Sequence, residues 1–401
     1  MTVAEGDRPP LATLVLTADP AAPPVSGADL RNFQNAVAAA ELGPVVLASV
    51  RPVTGGAWHN GVEAVGLSQD GDPRGKAIAS RRARIEIRIP QLAADRLFAL
   101  LKAFRPDAVI VEGVPLLPLM RLLRPVTRLL VLDMHNVESD LARQAGATEA
   151  RWSLARWLGG SEADRIAALE REALGLADRV FVCSEIDRDR LASLHRPAIP
   201  VHVVPNGVPR FEAIPAELPP LAPRIGTWPV LLFVGHLGYA PNIEAAQRLV
   251  RHILPSVRHS IAGARLVLAG RAPVEAVREL AREPGVTLVE NPADLSDLYR
   301  QSHICVVPLS AGGGTRIKIL EAMAWGLPVV ATPLAAEGQG LVAGQDVLLA
   351  DDDRGLARHI VALCKHPHRA EHQRLRARAT VDANFSPHAV AAALKSGLLT
   401  P

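Results

Sequence analysis

Short apolar runs alternate along the chain with longer stretches whose apolar residues recur at helical spacing. The runs are continuously apolar rather than alternating, which is typical of parallel strands covered by helices on both faces of a sheet. Two series of strands are therefore predicted. The first series lies at residues 11–19, 45–50, 107–113, 128–136, 179–185 and 201–207, and the second at residues 229–236, 264–271, 286–291, 303–309, 328–333 and 346–352.

A proline-rich stretch separates the two series. Residues 205–229 contain seven prolines and no periodic pattern, which predicts an interdomain connection. The chain is thus expected to be an α/β protein with two doubly wound domains, and ligands are expected in the cleft between them, at the carboxyl ends of the strands. We expect the C-terminal helical segment to pack back on the first domain. The predicted segments are a first domain at 1–208, a linker at 209–228, a second domain at 229–384 and the C-terminal segment at 385–401.

Composition narrows the class of protein. With 401 residues, 49% hydrophobic and 21% charged, the chain can bury about two globular cores and is not disordered. The 44 basic and 41 acidic residues nearly cancel, and the few aromatic residues are scattered, so we expect no nucleic-acid partner. Three widely separated cysteines fit neither a disulfide framework nor a zinc site. The sequence shows no secretory signal and no membrane-spanning run, so we expect a cytoplasmic protein.

One segment of the first half is locally basic. Residues 74–88 carry a single acid, Glu86, among the cations Arg74, Lys76, Arg81, Arg82, Arg84 and Arg88. One interpretation is an ordinary solvated face. The other is a patch that contacts an anionic membrane or a lipid-pyrophosphate acceptor, which would hold the protein peripherally on the inner face of the membrane.

The segment richest in candidate chemistry is residues 306–333, which read as strand, glycine-rich loop, helix, turn and strand. We expect Thr315 to be the N-cap of a helix that runs to about Trp325 and stops at Gly326. Free backbone N–H groups at the start of such a helix suit a phosphate. The loop before it can approach a ligand closely because it consists of three glycines, Gly312, Gly313 and Gly314.

Two cations and one carboxylate follow the loop. Arg316 and Lys318 stand where the helix dipole disfavours cations unless an anion compensates, and Lys318 is one of only five lysines. Glu321 lies one turn later and could accept two hydrogen bonds from a ribose diol. The set describes a site for a nucleotide diphosphate. The alternative is an ordinary βα turn with a Lys318–Glu321 surface pair.

These residues resemble the donor-site motif of retaining GT-B glycosyltransferases of the GT4 group, the glycosyl transferases group 1. In that family a glycine-rich loop leads into LEAMAxGxPVV, and this chain has LEAMAWGLPVV at residues 320–330. Three other segments resemble the family in the expected order: PPVSGADLRN at 23–32, VVPNGV at 203–208 and FVGHLGYAPN at 233–242. The resemblance implies two Rossmann-like domains facing a cleft, the first on the acceptor side and the second on the donor side.

The resemblance also implies roles for individual residues. Arg316 and Lys318 would stabilise the departing nucleotide diphosphate, and His135 would face the reacting sugar. Glu321 would hold the donor ribose. The donor nucleotide and diphosphate would be bound by Gly27, Gly235, His236, Gly238, Gly312, Gly313, Gly314, Thr315 and Glu321.

Two departures from the family pattern bear on these roles. Many members carry a second glutamate where this chain has Gly313. Many also carry an Arg and a Lys just after the VG of the second domain's first strand, where this chain has VGHLGYAPN with His236. We interpret Arg316 and Lys318 as replacing those missing cations.

The implied reaction transfers a sugar, of hexosyl type, from a nucleotide-diphosphate sugar to a hydroxyl of a glycan or lipid-linked acceptor. The anomeric configuration would be retained, and the product would belong to polysaccharide, glycolipid or other glycoconjugate biosynthesis. We expect no metal and no other cofactor. Two alternatives stay open: a nucleotide-sugar epimerase on the same scaffold, with acid/base side chains from the first domain, and a non-catalytic nucleotide-binding protein. A nicotinamide dehydrogenase would need GxGxxG, which neither SGADL nor GHLGYAPN provides.

Overall fold

The computed structural model describes residues 10–22, 24, 27–53, 62–72, 77–78, 86–148, 154–219, 229–312 and 314–400. The chain divides into two compact units. The first comprises Met1–Asn206 together with Pro387–Pro401, and the second comprises Gly207–Ser386.

The first unit is built on a parallel sheet of seven strands within the described ranges, in the order β3-β2-β1-β6-β7-β8-β9. Two further two-residue strands, β4 and β5, form a small antiparallel pair. The strands are β1 (Thr13–Thr17), β2 (Val45–Ser49), β3 (Val62–Gly66), β4 (Ala77–Ile78), β5 (Ile89–Pro90), β6 (Ala108–Glu112), β7 (Leu129–Met134), β8 (Arg179–Val182) and β9 (Val201–Val203).

Helices cover both faces of this sheet, which explains why its central strands are predominantly apolar. Strands β1, β2 and β6 are buried at every position. The helices that precede the second unit are α1 (Gly27–Ala40), α2 (Gln91–Phe104), α3 (Leu117–Leu123), α4 (Glu138–Thr148), α5 (Leu154–Leu176) and α6 (Glu185–His195).

The second unit has a six-stranded parallel sheet, again counted over the described residues, in the order β12-β11-β10-β13-β14-β15. Its strands are β10 (Val230–Val234), β11 (Arg265–Gly270), β12 (Val286–Glu290), β13 (Ile304–Val307), β14 (Val329–Ala331) and β15 (Leu348–Leu349). Its helices are α7 (Ala240–Arg248), which continues through a π-helical turn (Leu249–Ile253) into α8 (Leu254–Ser260), then α9 (Glu275–Leu280), α10 (Ser296–Gln301), α11 (Ile317–Ala324), α12 (Pro333–Ala336), α13 (Asp353–Lys365) and α14 (Pro367–Asn384).

The twelve strands expected from the apolar runs are all present, and two parallel-sheet α/β domains are confirmed. The sequence pattern missed the two-residue strands β4 and β5, and it also missed β3. This strand lies at the edge of its sheet and is fully buried at only one of its five positions, so it lacks the continuous apolar signature of the central strands.

The last helix, α15 (Pro387–Leu399), belongs to the first unit. Its buried Val390, Leu394 and Leu398 pack in one hydrophobic cluster with Ala36 and Ala39 of α1. The first unit is therefore completed by the C-terminal end of the chain.

Contact with a membrane surface was one of the two interpretations of the basic run. None of the helices in the described parts of the chain is long and apolar enough to cross a membrane. Most of the basic run falls outside the described residues: this applies to Arg74, Lys76, Arg81, Arg82 and Arg84, whereas Arg88 lies within them.

Candidate active site

The glycine-rich loop joins β13 to α11 in the second unit. Gly312 and Gly314 have φ angles of +117° and +73°, which L side chains rarely adopt, so glycine is required at both positions. Gly313 lies outside the described residues. At the other end of α11, Gly326 has a φ of +75°, and the N–H of Leu327 bonds the carbonyl of Ala322 at 2.8 Å, which closes the helix as predicted.

The start of α11 differs from the prediction. The helix begins at Ile317, and Arg316 occupies the capping position without a side-chain cap, so the expectation that Thr315 is the N-cap was wrong. The carbonyl of Thr315 instead accepts the N–H of Ile317 in a tight turn, at 3.1 Å. This turn uses the backbone, rather than the hydroxyl of Thr315, to reach the helix.

Arg316 is only 7% exposed and its guanidinium faces the loop itself. One terminal nitrogen donates to the carbonyl of Gly312 at 2.7 Å, and the other donates to the carbonyl of Gly314. Arg316 therefore stabilises the shape of the glycine loop. Its expected contact with a diphosphate stays a prediction.

Lys318 reaches from α11 to the end of β10 and the first turn of α7. Its Nζ donates to Oδ1 of Asn242 at 2.8 Å and lies 4.5 Å from the centre of the Phe233 ring. A Cβ at Gly235 would stand 2.8 Å from the same Nζ, so the glycine leaves the space that the ammonium fills. No carboxylate of the described residues forms an ion pair with Lys318, and burial lowers the pKa of its ammonium to about 8.

Glu321 lies one turn further along α11. Burial raises the pKa of its carboxyl to about 7, against the opposing effects of a hydrogen bond from Tyr299 and the charge of Lys318. The hydroxyl of Tyr299 donates to Oε2 at 3.4 Å. Tyr299 is itself 1% exposed and stacks on Trp325, with the ring centres 6.1 Å apart. The carboxylate thus has an aromatic support that fixes its position.

The loop after β10 lies beside the glycine loop. The Tyr239 hydroxyl is 3.7 Å from the point where a Cβ of Gly312 would stand. A Cβ at Gly238 would stand 2.9 Å from the carbonyl of Ala272, so this position also leaves no room for a side chain. His236 lies in the same loop after β10, and its side chain is exposed. The second unit therefore brings together Gly235, His236, Gly238, Gly312, Gly314, Arg316, Lys318 and Glu321.

A second cluster of charged residues lies in the first unit. Arg31 on α1 bonds both carboxylate oxygens of Asp133 on β7, at 2.5 and 2.6 Å. Glu112 ends the neighbouring strand β6 in register with Asp133. Nδ2 of Asn35 donates to both acids, at 3.1 and 3.2 Å, and Nε2 of His135 lies 3.2 Å from Oε2 of Glu112. The predicted residue His135 is thus one member of a buried network.

Burial sets the protonation of this network. It raises the pKa of Glu112 well above its ordinary value, and the negative charge of Asp133 adds to that rise. For Asp133 the effect of burial is outweighed by the Arg31 guanidinium, which holds the pKa below its ordinary value. Burial also lowers the pKa of His135. Burial therefore favours the neutral forms of Glu112 and His135 beside the ion pair of Arg31 and Asp133.

Two members of the network, Glu112 and His135, line a cavity of about 190 Å³, together with Asp19, Asp29, Asn32 and Glu138. One ligand atom each from Glu112, Asp133 and His135 falls within 4.8 Å of the others, a spacing compatible with a metal ion. However, Arg31 already engages both oxygens of Asp133, and its charge opposes a second cation. The arrangement fits an ion-pair network better than a metal centre.

Sequence reasoning missed several members of both clusters. Charged residues inside apolar strands were the available signal for Glu112 and Asp133. No signal pointed to Arg31, whose partner is 102 residues away in sequence. Asn242 and Tyr299 were missed because each acts on a side chain of another helix. Gly27 begins α1 and is exposed.

Two parallel-sheet α/β units, each with polar side chains at the carboxyl ends of its strands, fit the GT-B class of protein. The first unit matches the model of the Glycosyl transferase 4-like domain over residues 26–207, and the second matches the model of Glycosyl transferases group 1 over residues 228–366. Together the two models cover most of the chain. The chain therefore belongs to the group 1 glycosyltransferases.

Among curated proteins, the chain is 30% identical over 220 residues to the GDP-mannose-dependent alpha-(1-6)-phosphatidylinositol monomannoside mannosyltransferase of Mycobacterium tuberculosis, covering 45% of this chain and 54% of that protein. It is 28% identical over 144 residues to an uncharacterized 44.6 kDa protein in the cps region of Klebsiella pneumoniae, covering 34% of this chain and 37% of that protein. The chain thus spans about half or less of the length of these relatives.

Solved structures share the fold over nearly the whole chain. Sucrose-phosphate synthase from Thermosynechococcus elongatus aligns with a TM-score of 0.70 and 18% identity, covering 97% of this chain and 98% of that one. Anabaena HepE in complex with UDP-glucose aligns with a TM-score of 0.66 and 14% identity, covering 97% and 100%.

Proposed function

We propose that this protein transfers a sugar from a nucleotide-diphosphate sugar to an acceptor hydroxyl, with retention of the anomeric configuration. The observation that carries the proposal is the Lys318 ammonium beside the glycine loop. It is partly buried and held by a neutral amide, with no ion-pair partner of its own in the described structure. An anionic ligand that binds beside such a cation would compensate its charge.

The surrounding groups fit the two ends of a nucleotide diphosphate. The glycine loop permits a diphosphate to approach the backbone, and Lys318 lies beside it. Glu321 is held by Tyr299 one helical turn away, where it can accept hydrogen bonds from the hydroxyls of a ribose. HepE was solved with UDP-glucose and the mycobacterial relative uses GDP-mannose, which supports a nucleotide-sugar donor and leaves the base to experiment.

In the proposed reaction, the bond between the anomeric carbon and the phosphate oxygen breaks, and the bonding electrons leave with the diphosphate. Lys318 stabilises the negative charge that develops on this leaving group. The acceptor hydroxyl forms the new bond on the same face of the sugar, and its proton passes to the departing phosphate oxygen. We further infer that the reaction needs no metal ion, because Lys318 supplies a cation at the leaving group.

The first unit is proposed to supply the sugar side of the reaction. His135 borders a cavity of its own unit, at the carboxyl ends of β6 and β7, where ligands of parallel sheets are generally bound. His135 and Glu112 both line this cavity, and burial favours the neutral form of each, in which each can donate a hydrogen bond to a sugar hydroxyl.

The same pair favours one second candidate, an epimerase, because it offers acid and base groups in the first unit. An epimerase would change the sugar of the donor without an acceptor. Following the donor alone by NMR separates the two activities: a changed sugar stereocentre indicates an epimerase, and an unchanged donor that reacts only with an acceptor indicates a transferase.

The direct test is a screen of UDP, GDP and ADP sugars by thermal shift, followed by transfer assays with NMR analysis of the product anomer. Lys318→Ala and Glu321→Ala are expected to lose transfer while folding normally. Lys365→Ala is the matched control, because Lys365 is an exposed lysine of α13 outside the site. Full activity of both site variants would contradict the proposed donor site, and an inverted product would contradict retention.

A further inference from the structure

The amide of Asn242, at the end of the segment FVGHLGYAPN, contacts Lys318 of α11. It therefore connects two parts of the second unit that belong to separate sequence motifs. Asn242 lies in the first turn of α7 and is 7% exposed. Its Nδ2 donates to the backbone carbonyl of His236 at 3.0 Å, so its Oδ1 is the end that faces Lys318. Lys318 Nζ donates to this oxygen at 2.8 Å. The orientation of the amide is therefore fixed by one backbone contact.

The ammonium has little freedom to move from this position. The Phe233 ring lies on one side, 4.5 Å away. A Cβ on Gly235 would stand 2.8 Å from Nζ and 3.0 Å from Nδ2 of Asn242, so the backbone of Gly235 closes another side. The long lysine side chain is thus held in one place by a ring, an amide and a glycine backbone.

The chemical nature of the partner is also informative. An amide oxygen accepts a hydrogen bond from the ammonium but carries no net charge, so Lys318 keeps its full positive charge for a ligand. An aspartate of the same size would neutralise that charge and repel an anion. Asparagine is the side chain of this shape that orients the lysine without competing with a diphosphate.

We propose that Asn242 is a positioning residue for Lys318, holding its ammonium at the place where a diphosphate binds. The inference rests on the proposed function, because it takes a diphosphate as the ligand of Lys318. Asn242 acts through Lys318 rather than on the sugar.

The test measures inorganic pyrophosphate binding by calorimetry, without added metal, from pH 6 to pH 10. Pyrophosphate needs no knowledge of the nucleotide base. In the wild-type protein, affinity is expected to fall as pH rises and Lys318 loses its proton. The titration of pyrophosphate itself is common to all variants and cancels when their profiles are compared.

Two substitutions at this position are expected to move the profile in opposite directions. Asn242→Ala removes a hydrogen bond that favours the charged lysine, so the midpoint should shift to lower pH with about a tenfold loss of affinity. Asn242→Asp places a carboxylate beside the ammonium, so the midpoint should shift to higher pH while affinity at pH 7 falls by tenfold or more. Asn384→Ala, at an exposed asparagine in the last turn of α14, should behave as wild type.

A purely structural role for Asn242 would weaken binding in both variants and leave the midpoint in place, and that result would overturn the proposal. Wild-type affinity and midpoint in both variants would overturn it as well. If pyrophosphate does not bind the wild-type protein, or binds Lys318→Met equally well, the donor site itself is wrong and the role of Asn242 falls with it. Asn242→Asp preserves the size of the side chain. If Asn242→Ala does not fold, the shift of the midpoint in Asn242→Asp still tests the proposal.

Discussion

Replacing Arg31 by Met is expected to destabilise the first unit severely. The Arg31 side chain is 2% exposed, and it bonds both oxygens of Asp133, which is fully buried. A further nitrogen donates to the carbonyl of Val204 at 2.8 Å and to Oδ1 of Asn206 at 2.9 Å. Methionine fills much of the same space but removes the charge and all of these hydrogen bonds.

The size of this loss of stability follows from the buried groups that lose Arg31 as their partner. Removing one partner of a buried ion pair costs about 3–5 kcal/mol, because the remaining charge has no compensation. The buried acceptors of Val204 and Asn206 lose their donor, which adds about 1 kcal/mol. The expected decrease in the free energy of unfolding is therefore about 4–6 kcal/mol, a large part of the stability of a typical domain.

The loss should also depend on pH. In the wild-type protein the pKa of Asp133 lies below its ordinary value, so its ion pair contributes stability above the unfolded pKa and loses it as pH falls through the folded pKa. Without Arg31, the main effect that opposes burial is lost and the pKa of Asp133 is expected to rise, so the variant loses stability as pH rises above the unfolded pKa. The difference between the two proteins should therefore be smaller at pH 4 than at pH 7.

Native-state hydrogen exchange in increasing urea measures this loss for each unit separately. Peptides from β7 report the first unit, and peptides from β10 of the second unit are the internal control. The double variant Arg31→Met/Asp133→Leu removes both charges and should recover most of the lost stability. A loss below about 1 kcal/mol in Arg31→Met, or a double variant as unstable as the single one, would refute the reasoning.

Three other predictions concern the donor site, its metal requirement and the C-terminal helix. Burial lowers the pKa of Lys318 from 10.5 to about 8, so the free energy of unfolding of the wild-type protein should rise with pH between these values. Lys318→Met should lack that rise and should be about 1–2 kcal/mol more stable than the wild type at pH 7. Urea denaturation at several pH values measures both effects. EDTA should leave transfer unchanged, and a loss of activity restored by a divalent cation would show that a metal takes part. Leu394→Ala, at a fully buried position, should destabilise the first unit by about 2–5 kcal/mol in hydrogen exchange and leave β10 peptides unaffected.

The sequence predicted the fold well because both sheets are parallel and covered on both faces. Burial on two sides makes a strand such as β13 apolar at every position, and that signature can be read without knowledge of the neighbours. The edge strand β3 lacks it. The start of α11 was misplaced because Thr315, a frequent capping residue, forms a backbone turn here instead.

The candidate site was predictable where its residues lie in one segment. Lys318 and Glu321 are three residues apart on a helix, so their proximity follows from helical geometry. Asn242 precedes Lys318 by 76 residues, and Arg31 precedes Asp133 by 102. Such pairs depend on which strands become neighbours in a sheet, and apolar periodicity carries no information about a specific polar partner.

Helix α15 gives the two units different folding requirements. The second unit is one continuous segment, and every residue of it has been synthesised by the time Ser386 is added. The first unit is interrupted by that segment, and its core on the α1 side lacks Val390, Leu394 and Leu398 until these residues of α15 have left the ribosome. Pulse-labelled hydrogen exchange during synthesis is expected to show protection of β10 before that of α1. In a growing chain, the first unit thus completes its core only after the second unit has been synthesised.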